Sequence, residues 1–249
     1  MRRSLLALLW STLIPVLAQA SESDPLNSVM WDYHRERMLG GAPVRFDERV
    51  RVIAPPFAED SRQVPIQVDA RALGAPVSRI LVWADLNPIP RVIDFHPRSE
   101  RVQPFLAVRI RVEQATPVRA AVLTEEGIWH VGSTRVDAAG GGCTAPSVVR
   151  AQDGWEDRLG QVLGGRFPRG EFSRLRLELS HPMDNGLVDG IPEFFVEQAE
   201  LRDAEGTPLA HMELYSAISE NPNLSFEILG RAARLWLRDN NGNEFDAAF

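Results

Sequence analysis

The sequence contains no lysine; all 27 basic residues are arginine. That bias carries no function by itself. Cysteine is almost as scarce: Cys143 is the only one in 249 residues, so no intramolecular disulfide can form. After the N-terminus no apolar run approaches the ~20 residues of a membrane-spanning helix, which excludes a transmembrane anchor. Positive charge is not in excess, since the formal net charge is −7. Nucleic acid and anionic membranes are therefore excluded as principal partners. Histidines are few and scattered: none of His34, His96 and His130 lies beside Cys143 in sequence. No catalytic-triad or haem-site pattern is present, which makes an enzyme the weakest class of function.

The first twenty residues, MRRSLLALLWSTLIPVLAQA, have the form of a secretory leader. Arg2 and Arg3 precede an apolar run from Leu5 to Leu17, and Ala18-Gln19-Ala20 is a small-x-small cleavage site. The expectation is an exported protein of the periplasm, starting at Ser21. Without its leader the chain has 25 basic and 34 acidic residues. Residues 21–150 hold 16 of each sign, whereas residues 151–249 hold 9 basic and 18 acidic. This asymmetry points to two units.

Short runs rich in Val, Ile and Leu, split by Pro, Gly and charged pairs, predict strands throughout. In LAVRIRVE, Leu106, Val108, Ile110 and Val112 alternate with more polar positions, the mark of a half-buried strand. Leu175, Leu177 and Leu179 do the same in FSRLRLELS. Hairpin turns are expected at Glu125–Gly127, Asp203–Gly206 and Asn240–Gly242. A short helix near SVMWDYHRERML, with Val29, Met30, Tyr33 and Arg37 at helical spacing, stops at Gly40-Gly41. A second helical stretch is expected near GWEDRLGQVL. Trp83 and Trp129 read as core or rim aromatics. The fold class expected is all-β: two immunoglobulin-like β-sandwiches with a short N-terminal helix and a Gly-rich interdomain arm. The expected boundaries are 1–20 for the signal peptide, 21–137 for the first sandwich with its helix, 138–157 for the arm and linker, and 158–249 for the second sandwich.

Cys143 lies in VDAAGGGCTAPSVV, where small residues offer nothing to bury a side chain. Gly140, Gly141 and Gly142 leave the backbone unrestricted and thin. Ala138 to Ser147 span at most roughly 35 Å. An unpaired cysteine in an exported chain points to a reactive thiol or an intermolecular bond. The segment therefore reads as a mobile arm that holds a thiol in solvent and carries a covalently bound group into narrow active sites. Arg135 and Arg150 are placed to lower the thiol pKa if the arm folds back, with Asp137 opposing them.

GGGCTAPS resembles the swinging arm of the SoxY sulfur carrier, whose pattern is Gly-Gly-Cys-Gly-Gly. Downstream, LELSHPMDNG and NPNLSFEI resemble segments of SoxZ, the partner of SoxY. DERVRVIAPPFAEDSRQVPIQVDAR and ADLNPIPRVIDFHP are similar to the same family. The order of the two parts resembles the fused SoxYZ-like carriers associated with quinoprotein dehydrogenases. The resemblance implies a SoxY-like sandwich over 21–137 and a SoxZ-like sandwich over 158–249. It implies that Cys143 bears a sulfur-containing, thiosulfate-type intermediate, with Gly140, Gly141 and Gly142 as the arm. It also implies that periplasmic redox enzymes of Sox type, including a c-type cytochrome, or a quinoprotein dehydrogenase system, are the partners. No cofactor and no catalytic residue are implied. Two departures stand out: Thr144, Ala145, Pro146 and Ser147 replace the following glycines, and about a hundred residues continue beyond Cys143. An arm fixed at both ends enters a partner as a loop, which calls for an open cleft or a different cargo.

Two readings from other classes stand beside this one. His181 and Met183 form a His-x-Met pair, and His211-Met212 adds another. Imidazole and thioether suit Cu(I), giving a copper-binding periplasmic module. The His181-Pro182-Met183 segment also matches the SoxZ pattern, so the fold already accounts for it. The third reading is a non-carrier adaptor of a quinoprotein dehydrogenase.

Overall fold

The computed structural model describes residues 23–230 and 234–248. The leader expected at 1–20 lies outside them. In the first half, helix α1 (Trp31–Leu39) is followed by β1 (Val44–Phe46), β2 (Arg51–Ile53), β3 (Phe57–Ala58), β4 (Val64–Asp69), β5 (Val77–Ala84), β6 (Arg91–Pro97), β7 (Val102–Ile110), β8 (Thr116–Thr124) and β9 (Trp129–Ala138). The second half supplies β10 (Val162–Arg169), β11 (Phe172–Leu179), β12 (Val196–Arg202), β13 (Pro208–Leu214), β14 (Asn223–Leu229), β15 (Arg234–Asp239) and β16 (Glu244–Ala248). The protein is all-β, with one short α-helix among the described residues. No helix among them is long and apolar enough to cross a membrane.

The expected alternation holds where it was read. Leu106, Val108, Ile110 and Val112 are buried, as are Leu175, Leu177 and Leu179. The hairpins β8–β9, β12–β13 and β15–β16 turn at the expected places, with Gly127, Gly206 and Gly242 at positive φ. Strand β8 is instead buried along nearly its whole length, and β5 from Ile80 to Ala84. Both faces are covered: the second sheet lies on one, and α1 lies on the other. Trp31, Met38 and Leu39 of the helix pack with Leu81, Trp83, Trp129 and Val131. This corrects the predicted helix face. Val29 is 88% exposed and Tyr33 half-exposed, while Trp31, His34, Met38 and Leu39 point inward. The stop is as expected, with Gly40 in the left-handed region closing the helix. The second expected helix reduces to a single 3-10 turn, Glu156–Arg158.

The two halves are not joined by the linker alone. Among the described residues one sheet runs β1-β9-β8-β5-β6-β13-β12-β15-β16, with β3 on β9, and the other runs β10-β11-β14-β7-β4-β2. The seams are antiparallel pairs. Ile93 to Pro97 of β6 face Leu214 to Ala210 of β13, and Leu106 to Val108 of β7 face Phe226 to Leu224 of β14. Each sandwich thus uses its partner to cap an edge that would otherwise expose unpaired N–H and C=O groups. Phe95 and Phe226, both fully buried, stack across the seam with centroids 5.7 Å apart. A single apolar core runs through both halves.

Candidate functional site

The segment after β9 begins with Gly140 and Gly141 at φ of 106° and 78°, a region that other residues enter only under strain. The Gly141 amide donates to the Glu113 carbonyl at 3.2 Å, and the Ala145 amide donates back to the Gly141 carbonyl at 3.1 Å. Cys143 sits inside this turn. Gly142 needs to be glycine for a different reason. A Cβ there would stand 2.1 Å from the Ser61 carbonyl oxygen and 2.4 Å from that of Val112. The backbone is pressed against the end of the second sheet.

Cys143 is 1% exposed. Its amide donates to Glu113 Oε2 at 2.9 Å, and the Thr144 hydroxyl donates to Glu113 Oε1 at 3.2 Å. Its carbonyl accepts from Asn185 Nδ2 at 2.7 Å. Beyond it, Glu220 accepts from the Ser147 hydroxyl at 2.6 Å and the Val149 amide at 3.2 Å. Arg150 is ion-paired with Asp184 and lies over the Trp155 ring at 4.8 Å. Glu113 belongs to the first half; Asn185, Asp184 and Glu220 belong to the second. The arm is therefore pinned by both halves, and the thiol lies where they meet.

This corrects the expectation of a thiol held in solvent on a loose tether. The sulfur is covered and the tether is ordered by packing and hydrogen bonds. Gly142 beside it is buried as well, while Gly141 and Thr144 are exposed. Burial pushes the Cys143 pKa up to about 12; the Glu113 charge adds to this and Arg111 opposes it. At neutral pH the docked sulfur is a thiol, and a thiol is a poor nucleophile. The cations expected to lower its pKa are committed elsewhere. Arg135 pairs with Asp137 at 3.0 Å on the surface, and Arg150 pairs with Asp184.

His181 and Met183 are placed in the core of the second half. The His181 ring is fully buried between Phe194 and Phe245, at centroid distances of 4.5 and 6.4 Å. Its Nδ1 accepts from the Met183 amide at 3.1 Å, and Met183 Sδ accepts from the Val196 amide at 3.3 Å. Burial pushes the His181 pKa down to about 4. His181 Nδ1 and Met183 Sδ thus accept from backbone amides, while His181 Nε2 is buried 3.6 Å from Asp239 Oδ2 with no hydrogen-bond partner among the described residues. Met212 is buried while His211 is only partly so, and they face opposite sides of β13. His34 contacts the Asp85 carbonyl at 2.9 Å, His130 contacts Asp47 at 2.8 Å and His96 contacts Asp94 at 3.0 Å. None of them adjoins Cys143.

Comparison with known families divides the chain at this site. The family described as "Sulfur oxidation protein SoxY" matches residues 35–143, ending on Cys143 itself. The family described as "Sulphur oxidation protein SoxZ" matches residues 166–249. The chain belongs to the SoxYZ-like fusions. Among solved structures it is similar to the sulfur carrier protein SoxY from Chlorobium limicola f thiosulfatophilum, at 20% identity and a TM-score of 0.38, over 44% of this chain and 96% of that one. It is also similar to pullulanase from Anoxybacillus sp. LM18-11, alone and complexed with maltotriose. These similarities have 12% and 13% identity and TM-scores of 0.19 and 0.20, over 76% and 79% of this chain and 23% and 25% of theirs. Among curated proteins none matches.

In this SoxYZ-like fusion, the residues that sequence reasoning missed are Glu113 and Glu220, which hold the arm, Ser61, whose carbonyl packs against Gly142, and Arg111, whose charge acts through space on the thiol. Two signals were within reach. Asn185 closes HPMDN in the segment that carries the SoxZ resemblance, and Glu220 directly precedes NPNLSFEI. Asn185 within the first motif and Glu220 just before the second both hold the cysteine arm.

Proposed function

We propose that this SoxYZ-like fusion is a non-catalytic carrier that binds a sulfur-containing, thiosulfate-type intermediate covalently on Cys143. It presents that cargo, in the periplasm, to partner redox enzymes of Sox type or to a quinoprotein dehydrogenase system. One observation carries the reading: the only cysteine of the chain is the last residue of the SoxY match and is held by residues of both halves. Joining the thiol to thiosulfate gives Cys–S–S–SO₃⁻ and releases one proton and two electrons, which a partner such as a c-type cytochrome accepts. The docked thiol has the wrong protonation state for this step, so loading follows release of the arm into a partner. Docking then serves storage, shielding an idle thiol from stray oxidation.

Intact-mass measurement of protein isolated from its native compartment, with and without reductant, tests the proposal. The expected result is a reductant-sensitive added mass on the Cys143 peptide that Cys143→Ser protein lacks. An unmodified Cys143 under conditions of active sulfur oxidation would rule the carrier role out.

A further inference from the structure

Arg111 follows the last residue of β7 and is 3% exposed. Its Nη2 donates to the Pro182 carbonyl at 3.2 Å, while its Nε is buried with no acceptor among the described residues. No carboxylate among them lies within ion-pair distance of it. The acids that act on it through space are Glu220 and Asp184, and each is engaged. Glu220 holds Ser147 and Val149, and Asp184 holds Arg150. A buried guanidinium without a carboxylate is an expensive arrangement. A second buried donor is also unsatisfied: Ser219 Oγ has no partner among the described residues. The bridge between Ile110 and Ile218 puts Arg111 and Ser219 on the same face of that strand pair, opposite the two isoleucines. Arg111 immediately precedes Val112 and Glu113, which meet the arm at Gly142 and Cys143, and its charge acts through space on the Cys143 thiol.

A charged donor left unpaired beside a neutral thiol is matched to an anion that the thiol does not yet carry. We propose that Arg111, assisted by Ser219, is an anion subsite that receives the sulfonate end of the group attached to Cys143. This rests on the reading of Cys143 as the attachment point. The planar guanidinium fork suits the paired oxygens of a sulfonate. The empty arm then docks through Glu113, Asn185 and Glu220 alone, and the loaded arm docks through these and Arg111. The subsite distinguishes anionic from uncharged cargo, and an anionic adduct is held away from adventitious reductants.

The test uses full-length protein loaded chemically. Tetrathionate converts Cys143 to Cys–S–S–SO₃⁻ with release of thiosulfate and a proton, and methyl methanethiosulfonate converts it to the uncharged Cys–S–S–CH₃ with release of methanesulfinate and a proton. Loading is taken to completion by intact mass, in urea followed by refolding where the folded protein reacts slowly. The rate at which a phosphine reductant removes each adduct is then compared in wild type, Arg111→Gln and Arg111→Lys. Arg111→Gln is expected to speed loss of the anionic adduct about tenfold, the usual size of a charge-assisted hydrogen bond. The uncharged adduct should stay within about twofold, and Arg111→Lys should fall between. Equal acceleration of both adducts, or of neither, would overturn the subsite. Should Arg111→Gln fail to fold, thermal midpoints of the two wild-type adducts decide: the anionic one must be the more stable. Because the adducts are made in vitro, the outcome is independent of whether the native protein carries cargo, which the mass measurement reads separately.

Discussion

Cys143 is held from ionising by two agents, burial and the Glu113 carboxylate, and its chemistry follows from how firmly they act. The Asn185 hydrogen bond to the Cys143 carbonyl is one clasp. Its removal in Asn185→Ala is expected to cost about 1 kcal/mol of docking. Iodoacetamide labelling of Cys143 at neutral pH should rise about fivefold; an unchanged rate would mean that Asn185 does not hold the arm. The pH dependence has a definite sign. A free cysteine has an ordinary pKa of 9.0 and the docked one about 12. Between these values the released arm binds fewer protons than the docked one. The contribution to docking is complete below pH 9 and is lost as pH rises toward 12, in total about 4 kcal/mol. Labelling corrected for the reagent's dependence on thiolate should therefore climb across that window in wild type. The identity of this residue was legible, because a lone cysteine among glycines has few uses. Its burial was not, since the groups that hold its backbone in place lie 30 and 42 positions away along the chain.

The glycine run shows how an element can be read correctly and its purpose mistaken. Three glycines suggest looseness, yet here two supply left-handed backbone and the third supplies contact too close for any side chain. Gly142→Ala is expected to lift the arm from its seat, because carbonyl oxygens at 2.1 and 2.4 Å cannot retreat as a flexible side chain could. Gly141→Ala meets nothing within 4 Å and costs only the strain of positive φ, about 1 kcal/mol. Limited proteolysis of the 138–150 segment should separate the two variants, with Gly142→Ala cleaved fast and Gly141→Ala close to wild type. Similar sensitivity in both would remove the packing argument. The strands were legible because period-2 alternation survives wherever one face is wet. The helix face was not, because Trp31 and His34 answer to Trp83 and Asp85, which helical spacing alone does not reveal.

At the scale of the molecule, both seams cross between the halves, so association does not depend on the peptide connection. A chain cut between residues 153 and 154, or the two pieces co-expressed, should copurify as a one-to-one complex. The complex should melt in a single transition, because neither half covers its seam strands alone. Two transitions, or separation on gel filtration, would show two independent sandwiches. Two sandwiches and their order were readable from patterning and motif. Their merger was not, for β6 and β13 carry ordinary strand sequences, and pairing partners are chosen by three-dimensional register.

The pins on either side of Cys143 also set a limit on travel. Gly141 is fastened at Glu113 and Ser147 at Glu220, and only five residues lie between them. Stretched outward as a bight, that length reaches about 10 Å from the surface. An enzyme that serves this cysteine without undoing those fastenings has to press its reaction centre almost flush against the carrier. The recognition that selects it must then be written on the rigid rims of the two halves, around the sulfur's own doorway.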